Sequence, residues 1–531
     1  RLQDFLIARR PAVSFFTDKT PGITELIQQK GSAFLAKNEK DREVLRKPDA
    51  MGRDKEAIWF HFVNDVSEAI MRNLANDTLG SLSQARLFNI FQTIGSAGSV
   101  YSLIAPYFMA YRLFTKDRRF ADTCHKHCLG ETPPFKPQRS RIALFTDTFH
   151  ETNGVALNIR MQLQAARKND KNLEVITCHP NTNAGGAVNF RPIGYYQIPE
   201  YPEIRLYYPP FLEMLDYCFE NEITRIHVST PGPVGLCALA VARTMDLPIH
   251  GTYHTAFPRY AAELTGDNDI EELMWKAMIW FYNQMDGIYV PSRATGAELA
   301  AKGMNEDKIQ VYPRGVDIER FHPSRRNGIW SGKYKLGRDS LKLLYVGRIS
   351  REKNLDILAE AFRQLTANGS NTELIIVGDG PYKKPLEQHL AGTRVTFTGE
   401  LKGEPLAQAY SSSDIFVFPS VTDTFGNVVL EAQASGLPVI VTDQGGPQEN
   451  LIPGETGEVV PGLDAGALLR AIESLSQNPV RRRQMGKAAR RYMEGRSFES
   501  NFLKTWDLLK TASRSRAADK PTLEKRFPMA S

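Results

Sequence analysis

Between residues 141 and 445, short apolar runs alternate with longer amphipathic stretches, and this rhythm confines the chain to a narrow set of folds. The first series is RIALFTD (141–147), LEVITC (173–178), RIHVST (225–230), LPIHGTYH (247–254) and GIYVPS (287–292). A second series follows: LKLLYVGR (341–348), ELIIVGDG (373–380), RVTFTG (394–399), IFVFPS (415–420) and PVIVTDQG (438–445). Apolar segments of strand length separated by segments of helix length require crossover helices and a mostly parallel sheet. Each series has the size of one doubly wound domain, so two α/β domains in tandem are expected, residues 139–313 and 314–495, linked near residues 312–315. Sheets of this kind bind ligands beyond the carboxyl ends of their strands. Residues that directly follow the apolar runs are therefore the candidates for a site.

The densest candidate stretch is DTFGNVVLEAQASGLP, residues 423–438. The run 415–420 enters a polar turn holding Asp423 and Thr424, after which Phe425, Gly426 and Asn427 open an amphipathic helix that carries Glu431. Free backbone N–H groups at a helix start, with the positive end of the macrodipole behind them, favour a phosphate, and Gly426 lets a ligand approach the backbone. Glu431 is placed to accept two hydroxyl hydrogen bonds, as a ribose would offer. One carboxylate of the pair would face a sugar and the other a nucleoside. Arg348 and Lys353, in VGRISREKNLD, bring fixed positive charge to the loop after the first strand of the second series. Gly378 and Gly380 form a turn at the end of the next strand. Gly445, Gly446 and Glu449 repeat that pattern later, in a turn that can be structural only. In the first series, Asn153 and Gly154 follow the run 141–147, and a residue without Cβ permits close approach of a ligand. His254 ends another run, which marks it as functional rather than as one more core histidine.

These motifs, taken in order, resemble retaining glycosyltransferases of the GT-B fold, in family four of the group 1 type. The family pattern is Glu, seven residues, Glu, and then Ala with a small-Gly-Leu/Ile-Pro run. Here the second Glu is Glu431, the run is Ser435-Gly436-Leu437-Pro438, and Asp423 stands where the first Glu is expected. Asp keeps the charge and shortens the reach by one methylene. The stretch Gly347-Arg348 with Glu352-Lys353-Asn354 matches the family's phosphate-binding element, and the loop at Asn153-Gly154 resembles the one that approaches the transferred sugar. His254 resembles a His of lipid-directed and mannosyl-transferring relatives. The resemblance covers residues 139–510. It implies two Rossmann-like domains, the first on the acceptor side and the second binding a UDP- or GDP-sugar through Thr424, Phe425, Gly426, Asn427 and Glu431 with Gly378, Gly380, Asn153 and Gly154. His254, Asp423, Arg348 and Lys353 are its implied catalytic residues. The implied reaction moves a hexosyl group to a lipid or glycan acceptor with retention. Neither a cofactor nor a metal is expected, because Arg348, Lys353 and the helix start can carry the diphosphate charge, and nucleic acid is not an expected partner. A degenerate GT-B protein that senses a nucleotide sugar or scaffolds an assembly is the alternative, with Asp423 as its sign; a GT-B epimerase has less support.

The remainder of the 531 residues is less informative. A hydrophobic content of 42% excludes a largely disordered chain, and the net charge of +6 is unevenly placed: acidic residues prevail between 141 and 313 and basic ones on either side. A positive last third suits a diphosphate, and also contact with an anionic membrane. Five cysteines without framework spacing indicate a reducing compartment, so a cytoplasmic location, with peripheral contact at the inner membrane face, is expected. Cys124 and Cys128, flanking His125 and His127, are four apart and could share a helix face toward zinc, or simply end a helix. Residues 1–135 read as mainly helical, with a short strand at 13–16. Their uncharged stretch 87–111 is long enough for a membrane span but carries polar residues and Pro106, which favours a buried or interfacial helical pair. The start at Arg1, without a signal-peptide pattern, is consistent with a piece of a longer protein. Residues 132–139 read as a linker, 479–496 as a basic helix with a solvated face, 497–510 as a crossover helix, and 511–531 as a mobile tail.

Overall fold

A computed structural model describes residues 140–151, 153–181, 185–197, 205–254, 258, 268–312 and 314–518, with parts of 58–72 and the helix 106–115. The strand expected at 13–16, the Cys124–Cys128 cluster, the linker 132–139, residues 519–531 and most of the segment 1–135 lie outside them. Each of the ten apolar runs contains a strand. In the first series these are β1 (Arg141–Phe145), β2 (Asn172–Cys178), β6 (Arg225–Val228), β7 (Ile249–Thr252) and β8 (Gly287–Val290); in the second, β10 (Leu341–Val346), β11 (Thr372–Val377), β12 (Val395–Gly399), β13 (Ile415–Phe418) and β14 (Val439–Thr442). Five strands were not expected: β3 (Val188–Phe190), β4 (Gly194–Gln197), β5 (Arg205–Tyr208), β9 (Ile309–Val311) and β15 (Gly457–Val460). They are three or four residues long and mostly lie at sheet edges, where one exposed face dilutes the apolar signal.

The first sheet has the order β3-β2-β1-β6-β7-β8-β9 and the second β12-β11-β10-β13-β14-β15; β4 and β5 form a separate antiparallel pair. Strands pair in parallel within each large sheet, as in β1 with β2 and β6, and β10 with β11 and β13. These orders are doubly wound, and both place the strand that opens the series (β1, β10) in the interior. Buried on both faces, the central strands read as unbroken apolar runs: Leu343, Leu344 and Tyr345 of β10 and Ile415, Phe416 and Val417 of β13 are fully enclosed.

The chain separates into two compact units, residues 1–252 and 253–531. In the first, the described residues of the amino-terminal segment pack onto the α/β part. Phe108 and Tyr111 of the helix 106–115 meet Phe211 and Phe219 edge to face, and the Tyr111 hydroxyl donates to Asp216 at 2.6 Å. Asn64 is buried and donates both to Glu68 at 2.9 Å and to Glu213 at 3.2 Å. The helix Phe211–Glu220 carries apolar residues around most of its circumference, so it needs cover on more than the sheet side.

The second unit has two features that the sequence misrepresents. In the basic helix Pro479–Glu494, Arg490 is enclosed and donates to the carbonyls of Ile318, Phe321 and Ala434 at 2.9–3.1 Å. That side chain is a structural clamp, not part of a solvated face. The last helix, Phe498–Ala518, buries Phe502, Trp506 and Leu509 and continues past Lys510, where apolar periodicity ends, because residues 511–518 hold Ala and Arg and no Gly or Pro.

Candidate functional site

In the second unit the loops at the carboxyl ends of β10, β11, β13 and β14 lock into one another. Gly378 adopts φ 141°, and a Cβ there would stand 1.9 Å from the Gly347 carbonyl oxygen; one on Gly380 would stand 2.3 Å from that of Ile349. The Ile349 N–H donates to the Asp379 carbonyl at 2.9 Å, and the Tyr382 N–H returns to the Ile349 carbonyl at 3.0 Å. On the other side, the turn after β13 is stitched to the loop after β10: Val421 N–H donates to Asn354 Oδ1 at 3.2 Å and the Thr422 hydroxyl to the Glu352 carbonyl at 3.1 Å. Gly446 N–H holds the Asp423 carbonyl at 2.9 Å, and no Cβ fits at Gly446, where it would lie 2.0 Å from the Thr424 carbonyl oxygen. Asn450 Nδ2 holds the Phe425 carbonyl at 2.5 Å. The structure thus explains the glycines at 378, 380 and 446 by backbone contact within the protein.

This scaffold brings Lys353 and Asp423 together, with Nζ and Oδ2 2.9 Å apart and both side chains about one-fifth exposed. Such a pair is accessible to a ligand and yet largely withdrawn from water, where its field is stronger than at the surface. Arg348 is exposed on the same loop, its carbonyl held by the Tyr345 hydroxyl at 2.9 Å. Beyond Asp423, Gly426 takes a left-handed conformation (φ 77°, ψ 65°) as N-cap of the helix Asn427–Ala434, which starts with no side-chain cap. The helix start therefore presents backbone donors and a positive dipole end.

Glu431, in the middle of that helix, accepts from the Tyr410 hydroxyl at 2.8 Å. Burial pushes its carboxyl up to about 7, against the lowering effects of the Tyr410 bond and of Arg320. Tyr410 is itself enclosed between Phe321 and Phe416 and orients one oxygen of the carboxylate. It lies in AYSSSD, ahead of β13, where a tyrosine carries no signal of its own in sequence.

His254 follows β7, and its Nδ1 lies 2.6 Å from Arg314 Nη2. A guanidinium has no acceptor, so Nδ1 accepts and the neutral ring carries its proton on Nε2. Arg314 is fixed by the Tyr312 hydroxyl at 2.5 Å and lies over the rings of Tyr312 and Phe425. Thr424 joins this group: its hydroxyl donates to the His254 carbonyl at 3.0 Å, and its own carbonyl accepts from Ser292 at 2.8 Å and Thr295 at 3.2 Å. Glu449 spans the N–H groups of Arg293 and Ala294, both at 2.8 Å, and so caps the helix Arg293–Ala301. Arg314, Ser292 and Tyr410 were missed because the partners that draw them into this group, His254, Thr424 and Glu431, are more than twenty residues away in the chain.

Asn153 and Gly154 belong to the first unit. Asn153 is the N-cap of the helix Gly154–Lys168: its Oδ1 accepts from Ala156 N–H at 2.8 Å while its amide donates to Glu151 at 2.6 Å. Gly154 is the first helical residue and has no left-handed backbone. Nearby, Asp147 is enclosed and accepts from the Thr230 hydroxyl at 2.7 Å and Val234 N–H at 2.9 Å, and burial raises its carboxyl to about 6. Among the described residues no group of three or more His, Cys, Asp or Glu is placed to hold a metal ion. Nor is any described helix long and apolar enough to cross a membrane.

Two family models match the chain: "Glycosyltransferase Family 4" over residues 152–320 and "Glycosyl transferases group 1" over 328–492. A GDP-mannose-dependent alpha-mannosyltransferase of Mycobacterium tuberculosis is 32% identical over 377 residues, 67% of this chain and 93% of that protein. Sulfoquinovosyl transferase SQD2 of Arabidopsis thaliana is 36% identical over 275 residues, 51% of this chain and 53% of that protein, so the chain spans about half of that relative. The alpha-monoglucosyldiacylglycerol synthase of Streptococcus pneumoniae is 29% identical and matches 56% of this chain and 70% of its own length. Among solved structures, a sucrose-phosphate synthase from Thermosynechococcus elongatus superposes with a TM-score of 0.59 over 71% of this chain and 100% of its own, at 23% identity. Anabaena HepE, solved with UDP and glucose, gives 0.58 over 70% and 100% at 17% identity. Both likenesses establish the GT-B fold.

Proposed function

This chain belongs to glycosyltransferase family 4, group 1 type, and on that premise we propose that it moves a hexosyl group from a UDP- or GDP-sugar to a lipid or glycan acceptor with retention of anomeric configuration. The observation that carries the reading is the Lys353–Asp423 pair at 2.9 Å, beside a helix start with no side-chain cap and about one helix turn ahead of a carboxylate oriented by Tyr410. Sugar transfer breaks the bond between the anomeric carbon and the diphosphate oxygen. The electron pair leaves with the diphosphate while the ring becomes cation-like, as in glycoside hydrolysis. Lys353, Arg348 and the N–H groups at Gly426 and Asn427 supply fixed positive potential where that charge develops, and no metal is needed for this role. Ionised Glu431 accepts two ribose hydroxyls, Asp423 accepts from the sugar, and His254 offers a proton-bearing Nε2.

The choice of donor and acceptor classes rests on relatives named for GDP-mannose, for sulfoquinovosyl transfer and for glucosyl-diacylglycerol synthesis. A lipid acceptor also accounts for the helix 106–115, whose inward Tyr111 leaves Met109, Leu113 and Phe114 more than half exposed beside Arg112. An apolar face with a flanking cation suits the interface of an anionic membrane. Incubation with a panel of UDP- and GDP-sugars and diacylglycerol or phosphatidylinositol, with NMR of the product's anomeric proton, tests the reading. Transfer giving the α-product from an α-donor is expected; inversion, or tight donor binding without transfer to any acceptor and without slow hydrolysis, would overturn it and favour a sensor.

A further inference from the structure

We infer that the second unit carries a separate binding site for a phosphate ester at the amino-terminal edge of its sheet, opposite to the donor turn. A cleft of about 680 Å³ opens there, lined by residues that precede β10, β11 and β13 and by the junction of the helices Ala465–Gln477 and Pro479–Glu494. Its volume lies in the range of about 300–1,000 Å³ that holds small ligands. Lys353, Gly378 and Asp423 follow the same strands at their other ends. β10 has six residues, so about 20 Å of strand lies between the two edges.

Four cations line the cleft, Arg326, Arg338, Lys342 and Arg482, against the two carboxylates Asp339 and Asp414. Asp414 is already engaged, by Arg326 Nη2 at 3.1 Å and by the Lys342 N–H at 2.9 Å. Lys342 is buried, and its ammonium is spent on the carbonyls of Gly337 and Ser340 and on the Ser340 hydroxyl. It contributes charge and no donor. Arg482 donates Nη1 to the carbonyls of Leu475 and Ser476 at 2.8 and 3.1 Å, and burial lowers its pKa against the raising effect of Asp414. Arg338 is exposed and makes no hydrogen bond or ion pair among the described residues. Ser476 Oγ is shut off from water and has no partner. A guanidinium without an anion and a second one held only by carbonyls match a planar or tetrahedral oxyanion. The ligand class is therefore a phosphate ester, such as that of a sugar or nucleoside; a phosphatidate headgroup shares that chemistry.

Calorimetry with inorganic diphosphate tests the site in the Lys353→Ala chain, in which the donor turn has lost a cation. Saturable binding is expected, and adding Arg338→Glu should weaken it at least tenfold, since a carboxylate replaces the unpaired guanidinium on an exposed position that no packing depends on. Co-sedimentation with phosphatidylcholine vesicles, with and without phosphatidate, identifies the source: binding to phosphatidate that Arg338→Glu abolishes assigns a lipid headgroup, and its absence with diphosphate binding intact assigns a soluble ester. Equal diphosphate affinity with and without Arg338→Glu, or no saturable binding in the Lys353→Ala chain, would overturn the site.

Discussion

The loops at the carboxyl ends of the two sheets are built differently. In the second unit, polar side chains from two loops and two helices meet in pairs: Lys353 with Asp423, and Tyr410 with Glu431. Backbone contacts at Gly378, Gly380 and Gly446 that admit no Cβ hold those loops in place. In the first, Asn153 is consumed by a helix cap, and Asp147, after β1, by the Thr230 hydroxyl and the Val234 N–H that follow β6. The difference teaches that interlocked loops on the same doubly wound architecture can leave a charged pair one-fifth exposed, as at Lys353 and Asp423, or close a carboxylate off behind backbone and hydroxyl donors, as at Asp147.

Removal of residues 1–136 should break the comparison most severely. It strips Phe108, Tyr111 and Asn64 from the helix Phe211–Glu220 and leaves Phe211 and Phe219 uncovered. We expect an aggregating product, while residues of the second unit keep their own core; a soluble, monomeric shortened chain in gel filtration would show that the first unit is complete without them. Next in size is Gly378→Ala, where a Cβ 1.9 Å from a carbonyl forces two loops apart. A loss of about 3 kcal/mol or more in denaturant unfolding is expected, since this is backbone strain and not a lost contact. An unchanged midpoint would mean that the interlock is soft.

Asp423→Ala should lower turnover by about a hundredfold, as removal of other transition-state hydrogen-bond partners does. Normal turnover with a lowered melting temperature would instead make Asp423 a scaffold residue that merely holds Lys353. Glu431→Gln should weaken donor binding at least tenfold, because charge-assisted hydrogen bonds contribute on the order of 1.5–3 kcal/mol each. Its raised pKa, about 7, adds a signature. Ribose hydroxyls donate, so the ionised form binds better, and affinity should rise from pH 6 to pH 8 in the native chain and stay flat in the Gln variant. The sign is opposite for the empty protein: a carboxyl protonated more readily when folded stabilises below its unfolded pKa and loses that contribution as pH rises through about 7. A donor affinity independent of pH would remove Glu431 from the ribose. The smallest effect is expected at Asn153→Ala, about 1 kcal/mol of stability for a lost N-cap. A large fall in donor affinity there would mean that the first unit also holds the nucleotide sugar.

Much was legible before the structure. Ten apolar runs each gave a strand, since a parallel strand buried on both faces must be apolar throughout. The stretch 423–438 located the helix start, Glu431 and the Gly426 cap because glycine and a carboxylate at fixed spacing act locally. The edge strands β3, β9 and β15 were not legible, nor was the β4–β5 pair, because three or four residues with an exposed side carry too little pattern.

Sequence by itself determined the family, the order of the strands along the chain and the loops that could bear a site. Tertiary structure alone decided which side chains meet: that Lys353 reaches Asp423 seventy residues on, that Arg314 sets the tautomer of His254, that Arg490 clamps carbonyls and that four cations converge at the far edge of the second sheet. Local preferences act over a few residues and are written in them; pairing between charges depends on where parallel strands end in space, and a parallel sheet brings together loops that the chain keeps thirty to seventy residues apart.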